Sequence, residues 1–264
     1  MAYRLLAADY DLTLSLPDHT VSDTVRGAIR RVFEAGRYVT LATGRLGSGA
    51  EGARALIPGD VPMILCNGGV LASAADGAVL SETVMDPETA VRVMEWCARF
   101  PGTTVVWCRD GLFADRMNEA AEIYARLSFC APRLLPSREA AGRSGVHKIL
   151  LLSTVDTVER AWETLRRETP FPVNSFPSTP GVLEIVPPGV DKGSGLARAA
   201  ALLGIPREEV IAVGDGENDI PMLRWAGLGV AMGNAPESVK AAADIVCPPC
   251  DEDGAAWVME NYLL

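Results

Sequence analysis

The sequence predicts an α/β fold in which a doubly wound parallel sheet is interrupted by an inserted α+β segment. Apolar runs alternate with helical patterns from Tyr3 to Cys66 and again from Asp191 onward, which is typical of parallel strands with covering helices. Between these two parts the pattern changes to a hairpin, longer strands and scattered helices. The chain is therefore expected to begin one domain, interrupt it, and complete it, with boundaries near residues 84 and 188.

The first elements follow from local patterns. Tyr3–Ala8 is an apolar run that ends on an acidic loop, as a buried parallel strand does. Ser22 is placed to cap a helix that Gly36 ends. The apolar runs at 38–42 and 63–66 predict a second and a third strand.

The remaining elements are predicted in the same way. The insert is expected to contain a hairpin over Val70–Ser81 that turns at Asp76–Gly77, helices at Pro87–Phe100, Asn118–Leu127 and Val155–Glu168, strands at Thr103–Cys108, His147–Ser153, 173–176 and Val182–Val186, and a loop over Ala131–Gly145. The last part is expected to contain helices at Lys192–Leu203, Ile220–Trp225 and Pro236–Ala242 and strands at Val210–Val213 and Leu228–Met232.

Composition limits the classes of partner. The 264 residues carry 34 acidic and 24 basic side chains, for a net charge of -10, and contain no run of Lys and Arg. Such a chain is repelled by a nucleic-acid backbone, so no nucleic-acid partner is expected. No apolar stretch approaches the roughly 20 residues that cross a bilayer, and acidic residues follow the N-terminus too early for a signal peptide. We expect a cytoplasmic protein without a membrane partner, either a monomer or a homodimer.

The six cysteines do not suggest a disulfide framework, because most stand in apolar or mixed runs where a buried thiol is expected. Cys247 and Cys250 form a CxxC pair around two prolines. A zinc site needs two more ligands nearby, and none is evident, so a structural role is favoured over a metal or redox site.

Two carboxylates follow the first predicted strand, in the segment DYDLT at 9–13. Loops at the carboxyl ends of parallel strands line the ligand crevice of an open sheet, so Asp9 and Asp11 can both project into it. One carboxylate can attack phosphorus while the other handles the proton of the leaving group. The alternative is an ordinary turn, in which Asp and Thr are common.

Polar residues also follow or precede later elements. Thr43 and Gly44 come after the second strand, where a hydroxyl and a backbone N–H can hold phosphate oxygens, although alone they form only a strand-to-helix turn. Lys192 opens a helix, where the helix dipole disfavours a cation. A lysine that neutralises phosphate and a carboxylate explains this position better than an exposed ion pair does.

An acidic loop, GDGEND at 214–219, follows the strand predicted at 210–213. Asp215, Glu217 and Asp219 repel one another at this density, and a hard cation relieves the repulsion. Carboxylates, water and phosphate oxygens are the ligands that Mg²⁺ prefers. The alternative is a polar connecting loop, which does not account for so much acid after an apolar strand.

In this order and spacing the segments resemble the haloacid dehalogenase-like hydrolase superfamily, and more narrowly its Cof-type phosphatases with a subclass IIB cap. The matching segments, which span essentially the whole chain, are DYDLT at 9–13, ATGR at 42–45, NGG at 67–69, LEIVPPGVDKG at 183–193 and GDGENDIPML at 214–223. The resemblance implies a Rossmann-like core of residues 1–84 and 188–264 with an inserted cap, residues 85–187, that selects the substrate. Leu12 departs from the family pattern, which has Gly at this position.

The resemblance also implies a role for each matching residue. Asp9 would be the nucleophile that becomes phosphorylated, and Asp11 the general acid and then the general base. The Asp9 carboxylate, the Asp11 backbone carbonyl and Asp215 would bind Mg²⁺, and Asp219 would support the metal site. The groups expected to contact or position the phosphoryl group are Thr43, Gly44, Asn67, Lys192 and Asn218.

The activity implied is Mg²⁺-dependent hydrolysis of small phosphorylated metabolites, such as sugar phosphates, through an aspartyl-phosphate intermediate. Two alternatives stay open. An alcohol could intercept the same intermediate, which would make the protein a phosphotransferase or mutase. The fold could also bind a metabolite without turnover, although the intact carboxylates and Lys192 favour an enzyme. Polar residues of the insert that could face the substrate, or serve only its structure, are Arg109, Arg116, His147, Lys148 and Glu184.

Overall fold

The computed structural model describes residues 2–128, 130–143, 145–168 and 171–264, and the chain divides into two compact units. Unit 1 runs to Arg45 and then comprises Ala50–Glu82 and Asp191–Leu264, whereas unit 2 comprises Leu46–Gly49 and Thr83–Val190. The sequence analysis places the domain boundaries near residues 84 and 188, and these boundaries remain a prediction.

The elements have the following bounds. The strands are β1 (Leu5–Ala8), β2 (Tyr38–Leu41), β3 (Pro62–Leu65), β4 (Val70–Ser73), β5 (Val79–Glu82), β6 (Thr103–Cys108), β7 (Gly111–Ala114), β8 (Arg133–Leu134), β9 (Val146–Leu152), β10 (Asn174–Thr179), β11 (Val182–Val186), β12 (Val210–Gly214), β13 (Leu228–Ala231) and β14 (Ile245–Val246). The helices are α1 (Asp23–Glu34), α2 (Ser48–Arg54), α3 (Pro87–Cys97), α4 (Glu119–Leu127), α5 (Ser137–Ala141), α6 (Val155–Glu168), α7 (Lys192–Leu202), α8 (Ile220–Trp225), α9 (Glu237–Lys240) and α10 (Gly254–Tyr262).

The main sheet of unit 1 is parallel, with the strand order β14-β13-β12-β1-β2. Strand β1 is fully buried and lies between β2 and β12, although β12 comes from the far end of the chain. Because these strands are parallel, their carboxyl ends meet at one edge of the sheet. The loops after β1, β2 and β12 are thereby brought together, and the predicted α/β class is confirmed.

Strand β3 differs from its prediction as a third parallel strand. It pairs antiparallel with β4, and a single parallel bridge between Ala42 and Ile64 connects its segment to that of β2. The Thr40 hydroxyl also donates to the Pro62 carbonyl at 2.7 Å. The apolar run fixed the strand itself, but the pairing depends on the hairpin partner β4, which follows after a short irregular turn.

Local chemistry explains the well-predicted helices. The Ser22 side chain accepts from the Val25 N–H at 3.1 Å and caps α1, while Gly36, with φ +71°, follows its end. Asp86 caps α3 by accepting from the Thr89 N–H at 2.9 Å. Helices of unit 1 bury small and aliphatic side chains in one core, which includes Leu5, Ala7, Leu196, Ala199, Val210, Met222 and Leu223.

Unit 2 is built on a mixed sheet with the order β10-β11-β9-β6-β7-β8. Alternate residues of β6 and β9 contribute to two hydrophobic clusters, as the pleat of a strand requires. One cluster includes side chains of α3, α5 and α6, and the other includes Trp107, Leu150 and Tyr124. The unit therefore buries both faces of its central strands.

The structure also contains elements that the sequence patterns did not predict. The segment 131–145, expected to be a loop, contains β8 and the short helix α5, and its Ser144 lies outside the described residues. Strand β7 and helix α10 had no predicted counterpart. Among the described residues every helix is too short or too polar to cross a lipid bilayer.

Candidate active site

Asp9 lies directly after β1, at the edge where the parallel strands end. Its backbone N–H donates to the Val213 carbonyl of β12 at 3.0 Å, which continues the pairing of the two strands. The residue is 8% exposed. A carboxylate at this depth must have a charged or hydrogen-bonding partner, because an unpaired buried charge is strongly destabilising.

Lys192 is that partner. Its side chain is 1% exposed, and its ammonium donates to Asp9 Oδ1 at 2.7 Å and to Asp219 Oδ1 at 2.6 Å. Burial alone would lower the pKa of Lys192, but the Asp219 and Asp9 carboxylates outweigh burial and raise it above its ordinary value. These two carboxylates offset the unfavourable helix dipole at the first position of α7.

The start of α7 is fixed by its own capping and by two glycines. Asp191 accepts from the Ser194 N–H at 2.7 Å, and the Ser194 side chain lies 3.1 Å from the Asp191 N–H in return. A Cβ at Gly193 would lie 2.6 Å from the Pro221 carbonyl oxygen, and one at Gly68 would lie 2.1 Å from the Asp191 carbonyl oxygen. Gly68 also has φ +95°. Only glycine at these positions lets α7 approach its neighbours closely enough to place the Lys192 ammonium.

Asp219 organises the acidic loop after β12 and is fully buried. Its Oδ2 accepts from the backbone N–H groups of Asp215 and Gly216, both at 2.9 Å, while its Oδ1 accepts from Lys192. The loop is therefore folded around this carboxylate. Asp215 Oδ1 in turn accepts from the Thr13 hydroxyl at 2.9 Å, so the loops after β1 and β12 orient one another.

Three carboxylates lie close together beside the Lys192 ammonium. Asp9, Asp215 and Asp219 each have an oxygen within 4.8 Å of the others. Burial raises the pKa of Asp9 well above its ordinary value, with Lys192 opposing and the other two carboxylates adding to the increase. Burial and the neighbouring Asp219 raise the pKa of Asp215 to about 6. The site thus holds more negative charge than its lysine can compensate, which favours the binding of a cation.

Asn67 connects the loops that follow β2 and β12. It is fully buried, its N–H donates to the Thr43 carbonyl at 3.0 Å, and its Oδ1 accepts from Asn218 Nδ2 at 3.0 Å. A Cβ at Gly44 would lie 3.2 Å from the Asn67 amide, so this glycine makes room for it. The Thr43 hydroxyl accepts from the Arg45 N–H at 3.1 Å. Three of the residues predicted to contact the phosphoryl group, Thr43, Gly44 and Asn218, thus lie against Asn67.

Asp11, predicted to be the acid and base, makes a different set of contacts. Arg45 holds it with two hydrogen bonds, from Nε to Oδ2 at 2.9 Å and from Nη2 to Oδ1 at 2.5 Å. His19 Nδ1 lies 3.1 Å from Asp11 Oδ1. The Arg45 guanidinium also lies over the Tyr10 ring, 4.8 Å from its centroid. The Asp11 side chain keeps 39% of its surface exposed and is not part of the group formed by Asp9, Asp215 and Asp219.

Leu12 lies in the left-handed region, with φ 58° and ψ 12°. This conformation explains why glycine suits the position, since a Cβ is disfavoured there. The Leu12 carbonyl accepts from Asn234 Nδ2 at 3.0 Å, which helps to hold the loop. The Leu12 side chain is 39% exposed and replaces neither carboxylate of the loop.

Three residues of the site were not assigned a role from the sequence. Thr13 and Arg45 stand inside segments that matched the family pattern, so each could have been proposed as a partner of a nearby carboxylate. His19 lies in a Pro-Asp-His-Thr turn, which predicts a loop but not the direction of the imidazole. No sequence signal pointed to its contact with Asp11.

Comparison with known proteins identifies the class to which this fold and site belong. The family model described as haloacid dehalogenase-like hydrolase matches residues 6–259. The chain is 30% identical to the 5-amino-6-(5-phospho-D-ribitylamino)uracil phosphatase YcsE of Bacillus subtilis, over 99% of this chain and 96% of that protein.

Solved structures show the same likeness. A Thermotoga maritima protein matches with a TM-score of 0.83 and 32% identity, covering 98% of this chain and 97% of that one. A sugar phosphatase described as subclass IIB of the superfamily matches with a TM-score of 0.85 and 25% identity, covering 99% of this chain and 100% of that one. This chain belongs to the haloacid dehalogenase-like hydrolase family, and it is an enzyme of the hydrolase class. The predicted family and Rossmann-like fold are thereby confirmed.

Proposed function

We propose that this enzyme is a Mg²⁺-dependent phosphatase that hydrolyses small phosphomonoesters through a phosphorylated Asp9. The observation that carries the proposal is the buried Lys192 ammonium, which contacts Asp9 and Asp219 beside Asp215. A lysine fixed against a carboxylate nucleophile is suited to neutralise an incoming phosphoryl group. Membership of a hydrolase family whose full-length relatives include proteins named as phosphatases supports the same chemistry.

The residues present fit a divalent cation. Oxygen ligands predominate, and three carboxylates converge where one ammonium supplies the opposing charge. Hard oxygen donors of this kind suit Mg²⁺. We propose that the Asp9 and Asp215 carboxylates and the Asp11 backbone carbonyl hold the ion, with Asp219 supporting the loop. Bound there, Mg²⁺ would supply positive charge against the oxygens of the transferring phosphoryl group.

The chain's own residues perform the two transfers of the proposed mechanism. An Asp9 oxygen attacks phosphorus, the bond to the leaving alcohol breaks, and Asp11 gives that alcohol a proton. Water then attacks the phosphorylated Asp9, Asp11 takes the proton of the water, and the bond between Asp9 and phosphorus breaks to release phosphate. Thr43, Lys192 and Asn218 are proposed to hold the phosphoryl oxygens during both transfers.

Sugar and polyol phosphates are the proposed substrate class. One relative is named for a phosphorylated ribityl compound, and one solved relative is named a sugar phosphatase. Both names describe phosphate esters of polyhydroxylated alcohols. Unit 2, most of which is the inserted segment Thr83–Val190, is proposed to select among such leaving groups.

Phosphate release from an aryl phosphate and from a panel of sugar and polyol phosphates tests the proposal. We expect turnover in Mg²⁺ and none in excess chelator. The Asp9→Asn variant, which is nearly isosteric and leaves Asp219 to pair with Lys192, should lose activity by at least about 10⁴-fold. Thermal unfolding of the variant serves as the control for folding. Wild-type inactivity on the whole panel, or chelator-insensitive turnover, would contradict the proposal.

A further inference from the structure

His19 is held in a tight turn beside the loop that carries Asp11. The His19 N–H donates to the Leu16 carbonyl at 2.9 Å, and the Leu16 N–H donates to the Thr20 carbonyl at 2.8 Å. The Tyr10 hydroxyl donates to the His19 carbonyl at 3.2 Å. His19 adopts φ +63°, a conformation that a residue with a Cβ rarely takes without compensating contacts.

The turn places the imidazole against a carboxylate that Arg45 also holds. His19 Nδ1 lies 3.1 Å from Asp11 Oδ1 and 3.3 Å from Arg45 Nη2. Arg45 Nη2 already donates to Asp11, and a carboxylate accepts more strongly than an imidazole, so the arrangement favours a His19 Nδ1–H that donates to Asp11. The side chains of His19 and Asp11 are 46% and 39% exposed. Without these donors Asp11 would be a partly exposed side chain with several accessible rotamers.

These contacts involve both carboxylate oxygens of Asp11. Arg45 Nε donates to Oδ2, whereas Arg45 Nη2 and His19 Nδ1 both lie beside Oδ1. An imidazole held by a separate turn adds a contact that fixes the rotamer of the carboxylate. In the proposed mechanism both transfers use this carboxylate, and the second uses it to take a proton from water.

We propose that His19 is a positioning residue that aims the Asp11 carboxylate at the water that hydrolyses phosphorylated Asp9. The inference rests on the proposed function. In this step the water oxygen bonds to phosphorus, its proton passes to Asp11, and the bond from phosphorus to Asp9 breaks with its electron pair returning to Asp9. His19 contacts Asp11 and exchanges no proton in the step.

An aryl phosphate whose leaving group needs no proton separates the two transfers. For such a substrate kcat/KM reports phosphorylation of Asp9, and kcat includes the hydrolysis that follows. We expect His19→Ala to lower kcat about tenfold, a fraction of what a general base contributes. We expect kcat/KM to stay within about twofold of wild type. A rapid-quench experiment on His19→Ala should show a burst of about one aryl leaving group released per active site.

Two further variants make the test specific. His19→Gln keeps a side-chain N–H donor and should restore much of kcat. Asp18→Ala alters the same turn, where Asp18 Oδ1 accepts from the Thr20 N–H at 2.9 Å, but removes no contact with Asp11. It should leave both kinetic constants unchanged if the imidazole itself is responsible.

The outcomes discriminate between the inference and the proposed function. A fall in kcat alone, with a burst and rescue by His19→Gln, supports the positioning role. Equal losses in kcat and kcat/KM, no change in either, or the same losses in Asp18→Ala would overturn it. If the wild-type enzyme shows no Mg²⁺-dependent aryl phosphatase activity, the proposed function fails instead, before His19 is tested.

Discussion

Each unit of this enzyme buries a lysine against carboxylates, and the two arrangements differ in charge. In unit 1, Lys192 is 1% exposed and serves Asp9 and Asp219, with Asp215 close by. In unit 2, Lys148 is 2% exposed and donates to Glu184 at 2.9 Å between neighbouring strands. The first arrangement brings three carboxylates close to one lysine, and in the second a lysine donates to a carboxylate of the neighbouring strand.

The difference shows how a binding site can be distinguished from a structural ion pair. Burying charge costs free energy in both cases, and a matched pair recovers much of that cost within the protein. The carboxylates of unit 1 do not recover it with Lys192 alone, and the raised pKa values of Asp9 and Asp215 express the remaining cost. We infer that the remaining cost is relieved when a cation binds.

The largest expected effect comes from removing each lysine in turn. Lys192→Met and Lys148→Met should each lower the free energy of unfolding by about 3–5 kcal/mol in chelator, because both leave buried carboxylate without its ammonium. Measured against wild type in the same buffer, the loss in Lys192→Met should become smaller in Mg²⁺, whereas the loss in Lys148→Met should be the same with and without the ion. Urea unfolding of wild type and both variants with and without Mg²⁺ measures this contrast. A loss that Mg²⁺ changes equally in the two variants would contradict the distinction between the two lysines.

Replacing the whole ion pair of unit 2 should have a smaller effect than breaking it. The double variant Lys148→Met/Glu184→Leu removes both charges of this ion pair, so stability should return to within about 2 kcal/mol of wild type or exceed it. The same urea experiment measures it. A double variant no more stable than Lys148→Met would show that these two side chains stabilise unit 2 by more than the compensation of their charges.

Mg²⁺ should stabilise the wild-type enzyme through the carboxylates of unit 1. At a hundredfold excess over its dissociation constant the ion should add about 2.7 kcal/mol to the free energy of unfolding. Asp215→Asn removes one proposed ligand and should abolish most of the shift, while Glu237→Gln, a change at an exposed surface residue, should leave it intact. Differential scanning fluorimetry against Mg²⁺ concentration gives the result, and an unchanged shift in Asp215→Asn would argue against the proposed ligands.

The smallest effect is expected for Leu12→Gly. Glycine removes the cost of a Cβ at φ 58°, about 1–2 kcal/mol. It also raises the conformational entropy of the unfolded chain, which lowers stability by about 0.5–1 kcal/mol. The net change should be a stabilisation of no more than about 1.5 kcal/mol, measurable by urea unfolding. A clear loss of stability would mean that the Leu12 side chain makes contacts that outweigh the strain.

Local patterns predicted the elements that have a clear helical periodicity or an uninterrupted apolar run. Helix α6 and strands β6 and β11 have the bounds that their periodicity and apolar runs indicated. Helix α10 was missed because its stability comes from packing against α1, an interaction between opposite ends of the chain. Strand β3 was recognised, but its antiparallel partner was not, since pairing is decided by tertiary contacts rather than by composition.

The candidate site likewise contains groupings that the sequence predicted and contacts that it did not predict. Asp9, Lys192 and Asp219 were predicted to belong together, and the structure places them in direct contact, although their catalytic roles stay a prediction. The contacts of Asp11 with Arg45 and His19 were missed. They depend on a turn with φ +63° at His19 and on the rotamer of an arginine, and neither is encoded in a short motif.

Direct detection of the phosphorylated residue tests whether Asp9 accepts the phosphoryl group. Enzyme turning over an aryl phosphate in Mg²⁺ is quenched in acid, and the peptide that carries the phosphoryl group is located by mass spectrometry, in wild type and in Asp11→Asn. We predict an acyl phosphate on Asp9 that accumulates further in Asp11→Asn, because its hydrolysis lacks the base. A phosphoryl group on another residue, or active enzyme that never carries one, would contradict it.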